Sequence, residues 1–300
     1  MDNVAWQKEK TEYLIDTFSR SKENKYENYI VNALYQRIGL PDLRPVAKAF
    51  VRSKNEVYHE TSLYFPQVNI SVKVLSEETP AEIKDETELS LEIFDCLSPD
   101  ETRPDFEEYE FEADLGFAEL TEKIDTLALI IKKAWNNIPS NRKTWEHAES
   151  AEEYYVSRDM VNSSDPVIFD NVEEACNILF NSQFEDKFTG FKYLKIDGNN
   201  EYSHTVWRPS IAVPEEETGN YITTFEGDEI KETLPIYEAK PKTEKDKLPR
   251  ITFIKVTDPE TKKEGYRFAG VYQWFSEYDA VVNRVNIYKR TKTSFPILEK

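Results

Sequence analysis

Apolar residues recur at helical spacing through Tyr26, Tyr29, Ile30, Ala33, Leu34 and Ile38, and Gly39 with Pro41 ends the run. The pattern predicts a helix with Glu27 on or beside its buried face. A shorter stripe, Tyr13, Leu14, Thr17 and Phe18, predicts a helix within residues 1–22. The period then changes. Residues 45–51 read as extended, a turn falls at Ser53-Lys54-Asn55, and strands are predicted through Val57-Tyr58 and Leu63-Tyr64-Phe65. After a turn at Pro66-Gln67, Ile70, Val72 and Val74 alternate with Ser71, Lys73 and Leu75, as a strand requires. Residues 82–97 predict another helix and Tyr109-Glu110-Phe111-Glu112 an edge strand. Leu120, Ile124, Leu127, Ile131, Ala134 and Trp135 mark a long amphipathic helix broken near Pro139.

Residues 140–165 are polar and end in the turn cluster Asn162-Ser163-Ser164-Asp165-Pro166. Asp170 or Asn171 caps a helix through Val172, Ala175, Cys176, Leu179 and Phe180. Strands are predicted over residues 191–196, 205–207, 221–225, 250–256, 266–272 and 284–290, with 240–249 a charged surface loop. The expected organisation is α+β: a first domain over residues 1–140, a linker over 141–165, and a β-rich second domain over 166–300.

Composition supports packed globular structure, with 17 Tyr, 17 Phe and 5 Trp. No run approaches the roughly 20 apolar residues of a membrane span, and the first residues lack a signal-peptide layout, so the expected location is cytoplasmic. Cys96 and Cys176 have no nearby cysteine, and His59, His147 and His204 are too scattered for a metal-ligand spacing. The net charge of −19 is concentrated: residues 76–125 hold 19 Asp or Glu against Lys84, Arg103 and Lys123. Such a segment repels phosphate and attracts a basic protein partner, or forms a solvated helical face.

The 61–75 segment, Thr-Ser-Leu-Tyr-Phe-Pro-Gln-Val-Asn-Ile-Ser-Val-Lys-Val-Leu, follows the Tyr-Glu-bearing helix. Near the far end stand Arg250-Ile-Thr-Phe-Ile-Lys255, Tyr266-Arg-Phe-Ala-Gly-Val-Tyr272 and Tyr288-Lys-Arg290. Over nearly its full length the chain resembles PvuRts-type restriction endonucleases, modification-dependent enzymes that cut DNA containing 5-hydroxymethylcytosine. The resemblance implies an N-terminal Vsr-like, PD-(D/E)xK nuclease domain dependent on magnesium. It also implies a C-terminal SRA-like domain that accepts a flipped modified cytosine, and paired catalytic domains, hence a homodimer.

Glu27 matches the family's helix glutamate. Ser62 stands where an aspartate is expected, and Lys73 and Leu75 stand where a Glu-x-Asp pair is expected. Magnesium needs hard, negatively charged oxygen ligands, and these replacements remove them. Glu60, Glu77 and Glu78 are close enough in sequence to be relocated ligands. In the second half Trp207 matches the pocket tryptophan, and Pro209 replaces the asparagine expected two residues later, with Asn220 as a substitute polar group. Lys255, Arg267, Lys289 and Arg290 are the candidate phosphate contacts.

Three functions follow. The first is a catalytically degenerate homologue, a pseudoenzyme without a cofactor that binds 5-hydroxymethylcytosine in double-stranded DNA or regulates a restriction system against phage. The second is an active, magnesium-dependent endonuclease with relocated ligands. The third is a protein-interaction or DNA-mimic module built on residues 76–125. The first accounts for the retained scaffold and the missing acids together.

Overall fold

The computed structural model describes residues 3–53, 57–75, 83–98, 104–112, 115–145, 150–182, 191–194, 202–212 and 222–298. The chain divides into two compact units. The first comprises Met1–Ile83, Glu101–Ala148 and Pro259–Lys262, the second Lys84–Asp100, Glu149–Asp258 and Lys263–Lys300.

In the first unit, helices α1 (Asn3–Ser19) and α2 (Lys25–Ile38) precede short strands β1 (Val46–Ala47), β2 (Phe50–Arg52), β3 (Tyr58–Glu60), β4 (Leu63–Phe65) and β5 (Ile70–Val74). Asn24 caps α2 by accepting from the Glu27 amide, and Gly39 ends it in the left-handed conformation, its N–H donating to the Tyr35 carbonyl. Ile30, Val31, Leu34 and Ile38 are buried along α2 with Glu27, whereas Tyr29, expected on the apolar stripe, is 43% exposed. Strand β4 pairs antiparallel with β1 and β5, and β6 (Glu107–Phe111) extends the sheet in parallel with β5. Helix α4 (Phe117–Asn137) buries Leu120, Ile124, Leu127, Ala128, Ile131 and Trp135 in a core shared with α2, Leu63, Phe65, Ile70 and Val72.

The second unit is built on a seven-stranded sheet. Its strands are β8 (Phe191–Leu194), β9 (His204–Trp207), β10 (Ile222–Glu226), β11 (Glu229–Pro235), β12 (Arg250–Thr257), β13 (Glu264–Ala280) and β14 (Asn283–Lys292). The spatial order is β10-β11-β14-β13-β12-β9-β8. Alternation along β12 places Ile251 and Phe253 on one face and Ile254 and Val256 on the other. The first face packs on α5 (Ala151–Tyr155) and α6 (Val172–Phe180). The second packs on α3 (Asp85–Leu97) through Ile93 and Leu97.

Four elements differ from the sequence reading. Strand β11, Glu-Ile-Lys-Glu-Thr-Leu-Pro, escapes a hydrophobicity pattern because only Ile230 and Pro235 are buried within it. Strand β13 runs on to Ala280, since its polar second half is held by pairing with β14 rather than by apolar burial. Within the polar stretch 141–165, α5 and β7 (Met160–Asn162) are ordered elements, β7 pairing with β15 (Ser294–Pro296). Among the described residues, no helix is long and apolar enough to cross a membrane.

Gly265 opens β13 where Tyr266 exchanges backbone hydrogen bonds of 2.9 and 2.8 Å with Phe169. A Cβ at this position would fall inside 3.0 Å of the Ile168 side chain and the Phe169 carbonyl. Gly265→Ala is therefore expected to destabilise the protein by about 2 kcal/mol through overpacking. Chemical denaturation reads the loss as a lower midpoint at unchanged slope.

Candidate functional site

Two side-chain clusters fall where the sequence points to chemistry. In the first unit, Lys48 adopts a left-handed backbone conformation at φ 57°, and its amide donates to the Ser62 carbonyl. From there its ammonium reaches Glu27 Oε1 at 2.8 Å and Glu60 Oε1 at 3.2 Å. Lys262 pairs with the other Glu60 oxygen. Burial works to lower the Lys48 pKa, but the hydrogen bond and charge of Glu27, with Glu60, outweigh it and hold the ammonium above the usual lysine value. Glu27 Oε2 is buried with no hydrogen-bond partner.

Ser62 is buried, and its Oγ accepts from the Val74 amide at 3.0 Å. Lys73 is half-buried and Leu75 donates its amide to the Phe111 carbonyl, so Ser62, Lys73 and Leu75 serve the sheet. Glu77 and Glu78 lie outside the described residues. The donor set does not fit magnesium: two carboxylates, Glu27 and Glu60, are matched by two ammonium groups, and a divalent cation would have to expel them. Among the described residues, no group of three or more His, Cys, Asp or Glu is placed to hold a metal ion.

Beside this set, Glu108 on β6 accepts from Ser71 at 3.0 Å and meets His59 Nε2 at 2.6 Å. The His59 hydrogen bond, against desolvation, holds the Glu108 carboxyl below the usual range. Sequence spacing could not pair them, because residues 59, 71 and 108 come from three strands.

The second cluster lies on the α3-covered face of the seven-stranded sheet. Trp207 is buried against Tyr288, ring centroids 5.0 Å apart. The Arg250 guanidinium sits 4.4 Å from the Trp207 centroid and 4.1 Å from that of Tyr288. It forms no hydrogen bond or ion pair among the described residues. The Tyr288 hydroxyl accepts from Lys242 at 3.1 Å and donates to Glu232 Oε2 at 3.2 Å. The same oxygen accepts from Asn286 Nδ2 at 3.4 Å. Desolvation is the main cause lowering the Lys242 pKa, opposed by Glu232. Lys247 lies over Trp274, and Lys245 over Tyr193 and Tyr202. The 240–249 segment, expected to be a charged surface loop, thus lays three cations, Lys242, Lys245 and Lys247, on aromatic rings.

The expected phosphate contacts fare differently. Arg267 is buried, and its guanidinium donates to the carbonyls of Phe94, Leu97, Ser163 and Asp165 and to Ser98 Oγ. Burial lowers its pKa to about 10. Named as a candidate phosphate contact, Arg267 is instead found buried, gathering carbonyls from α3 and the 163–165 turn. Lys255 pairs with Glu264 at 2.6 Å. Arg290 pairs with Asp228 and donates to the Ala269 carbonyl. Lys289 is exposed over the Phe275 ring at 4.1 Å. Asn220 lies outside the described residues. The acidic segment is divided: α3, with Asp85, Glu86, Glu88, Glu92 and Asp95, folds into the second unit, whereas β6 and α4 fold into the first.

Comparison with known proteins covers both units. Residues 11–98 match the family model described as restriction endonuclease PvuRts1 I-like, N-terminal. Residues 154–297 match the SET and RING associated (SRA) domain. Curated proteins give no match. Among solved structures, the chain is similar to one titled "The 5-Hydroxymethylcytosine-Specific Restriction Enzyme AbaSI". The identity is 20%, the TM-score 0.54, and the alignment covers 97% of this chain and 98% of that one. At that identity the likeness establishes shared fold.

Two outcomes test the first cluster. Lys48→Met, which leaves the Glu27 carboxylate buried without its cation, is expected to cost about 3 kcal/mol in chemical denaturation. The double variant Glu27→Gln/Lys48→Met should recover most of that loss. Glu108, depressed in the folded state, contributes stability above its unfolded pKa that is lost as pH falls through its folded value. Glu108→Gln should therefore flatten the acid limb of the melting temperature measured from about pH 7 to about pH 3.

Proposed function

As the chain belongs to the family that joins a PvuRts1 I-like N-terminal region to an SRA domain, we propose that it reads modified cytosine in double-stranded DNA without cutting it. The carrying observation is the Lys48 ammonium held between Glu27 and Glu60, with Lys262 on the outer Glu60 oxygen. Lysine supplies within the chain the positive charge that a nuclease of this class takes from magnesium. The ammonium has no vacant coordination position, so it neither activates water nor bridges a phosphate. Ser62, Lys73 and Leu75, where the resemblance expects acids, leave no second carboxylate set on the hairpin.

The second unit supplies what recognition needs. Extruding a base costs a few kcal/mol, and stacking on aromatic rings with hydrogen bonds to the base edge offsets it. Trp207, Tyr288 and Trp274 provide rings, while Lys242, Lys247 and Arg250 provide positive charge for the DNA backbone. A second reading, a working endonuclease, is favoured by one observation, the unpartnered Glu27 Oε2, a buried carboxylate oxygen open to a cation.

Titration of the full-length protein against duplexes carrying cytosine, 5-methylcytosine or 5-hydroxymethylcytosine, with magnesium or manganese in the same tubes, separates these readings. Tighter binding to a modified duplex, with every strand intact, is expected. Equal, weak binding to all three overturns the reader function. Metal-dependent strand cleavage overturns the loss of catalysis and establishes the second reading.

A further inference from the structure

The first unit holds a cavity of about 440 Å³ that neither side-chain cluster uses, a volume within the range of small-molecule sites. Its floor is apolar, made by the buried Val68, Ile70 and Ile138. One wall is the extended chain that enters β6. Alternation there sends Asp105 and Glu107 to the cavity, while Phe106 between them packs with Val46, Val51 and Tyr64 instead. Glu107 lies opposite Ile70 in register, which sets it at the edge of the floor. The Tyr109 hydroxyl donates to Glu107 Oε2 at 2.5 Å and so orients the carboxylate. Asp105 is exposed and makes no hydrogen bond or ion pair among the described residues.

The opposite wall is the C-terminal end of α4, with Ala134 and Asn137. Among the described residues this end has no cap: Ile138 donates to no helix carbonyl, Pro139 carries no N–H, and no basic residue stands in the last turn. Helix α2 differs, because the Gly39 amide closes it and Arg37 stands in its last turn. The final carbonyls of α4 therefore present the negative end of the helix dipole without donors. Among the described residues, Arg142 is the one cationic side chain lining the cavity, against two carboxylates and the helix end. Lys143 lies over the Trp135 ring at 5.8 Å and does not line it.

A ligand matched to these walls carries N–H donors and positive charge at both ends, with an apolar stem between. Ammonium groups offer three donors and no acceptor, and a methylene stem lies on an apolar floor while its charged ends stay at the polar edges. An anion would face both carboxylates and the wrong end of the helix. We propose that the cavity binds an aliphatic diamine, one ammonium held by Asp105 and Glu107 and the other by the carbonyls that end α4. The site lies within the first unit and does not depend on the reading of the second as a modified-cytosine binder.

Calorimetric titration of the full-length protein with cadaverine, a diamine on a five-carbon stem, tests the proposal without DNA. One saturable site is expected, with no binding of the pentanediol that has the same stem and no charge. Glu107→Gln and Asp105→Asn should each weaken cadaverine binding by about 10-fold, the worth of one charge-assisted hydrogen bond. Both side chains are exposed, so the melting temperature should hold. Ala134→Leu, which fills the cavity from the helix wall at unchanged charge, should abolish binding. Because the chain carries a net charge of −19, the exposed Glu110 on β6 measures unspecific attraction, and Glu110→Gln should leave the affinity unchanged. Uptake without saturation, equal binding of the diol, or a loss in Glu110→Gln as large as in Glu107→Gln overturns the proposal. Wild-type affinity in Glu107→Gln or Ala134→Leu overturns it as well.

Discussion

A seven-stranded sheet with apolar residues on both faces has to be covered twice, and the second unit is arranged to meet that requirement. Helices α5 and α6 cover one side. The other recruits α3, from far earlier in the chain, and Ile93 and Leu97 close the core around Ile230, Ile254 and Tyr272. Bringing in a helix leaves the carbonyls of its last turn in need of donors. Arg267 provides them, so an arginine named from sequence as a candidate phosphate contact is an interior fastening. The cover is incomplete, and Trp207, Tyr288 and Trp274 meet the 242–247 segment and Arg250 instead. The site is thus the part of the sheet that the helices leave to side chains.

The first unit shows a different economy. A nuclease hairpin needs negative charge held close together, and only a bound cation makes that tolerable. With Ser62, Lys73 and Leu75 at the expected positions, Glu27 is still buried, and a buried carboxylate demands a counter-charge. Lys48 and Lys262 satisfy Glu27 and Glu60 from within the chain. The charge balance of the first unit is thus supplied by residues of the chain itself.

What the sequence made legible follows range and chemistry. The α2 stripe placed Glu27 correctly because a helix encodes its buried face within a few residues. Trp207 was identifiable as an aromatic of consequence, but its partners Arg250 and Tyr288 lie on strands remote in sequence. Lys48 carried no signal, since its role depends on a left-handed backbone turn beside Ser62 that a lysine rarely adopts. Strand β11 was invisible because Glu229, Lys231 and Glu232 interrupt its apolar alternation, and Glu232 turns out to be part of the site. In both units the charged residues that matter most are the ones a hydrophobic pattern discards.

The division of the chain has a consequence for descent. Lys84–Asp100 folds with the second unit and Pro259–Lys262 with the first, so the polypeptide changes unit five times. Recombination at a single point cannot transfer either unit intact. A crossover after α3 strands the helix that covers the Trp207 face, and one before it separates Lys262 from Glu60. The two halves are therefore inherited together, and neither could have been acquired from elsewhere by one exchange.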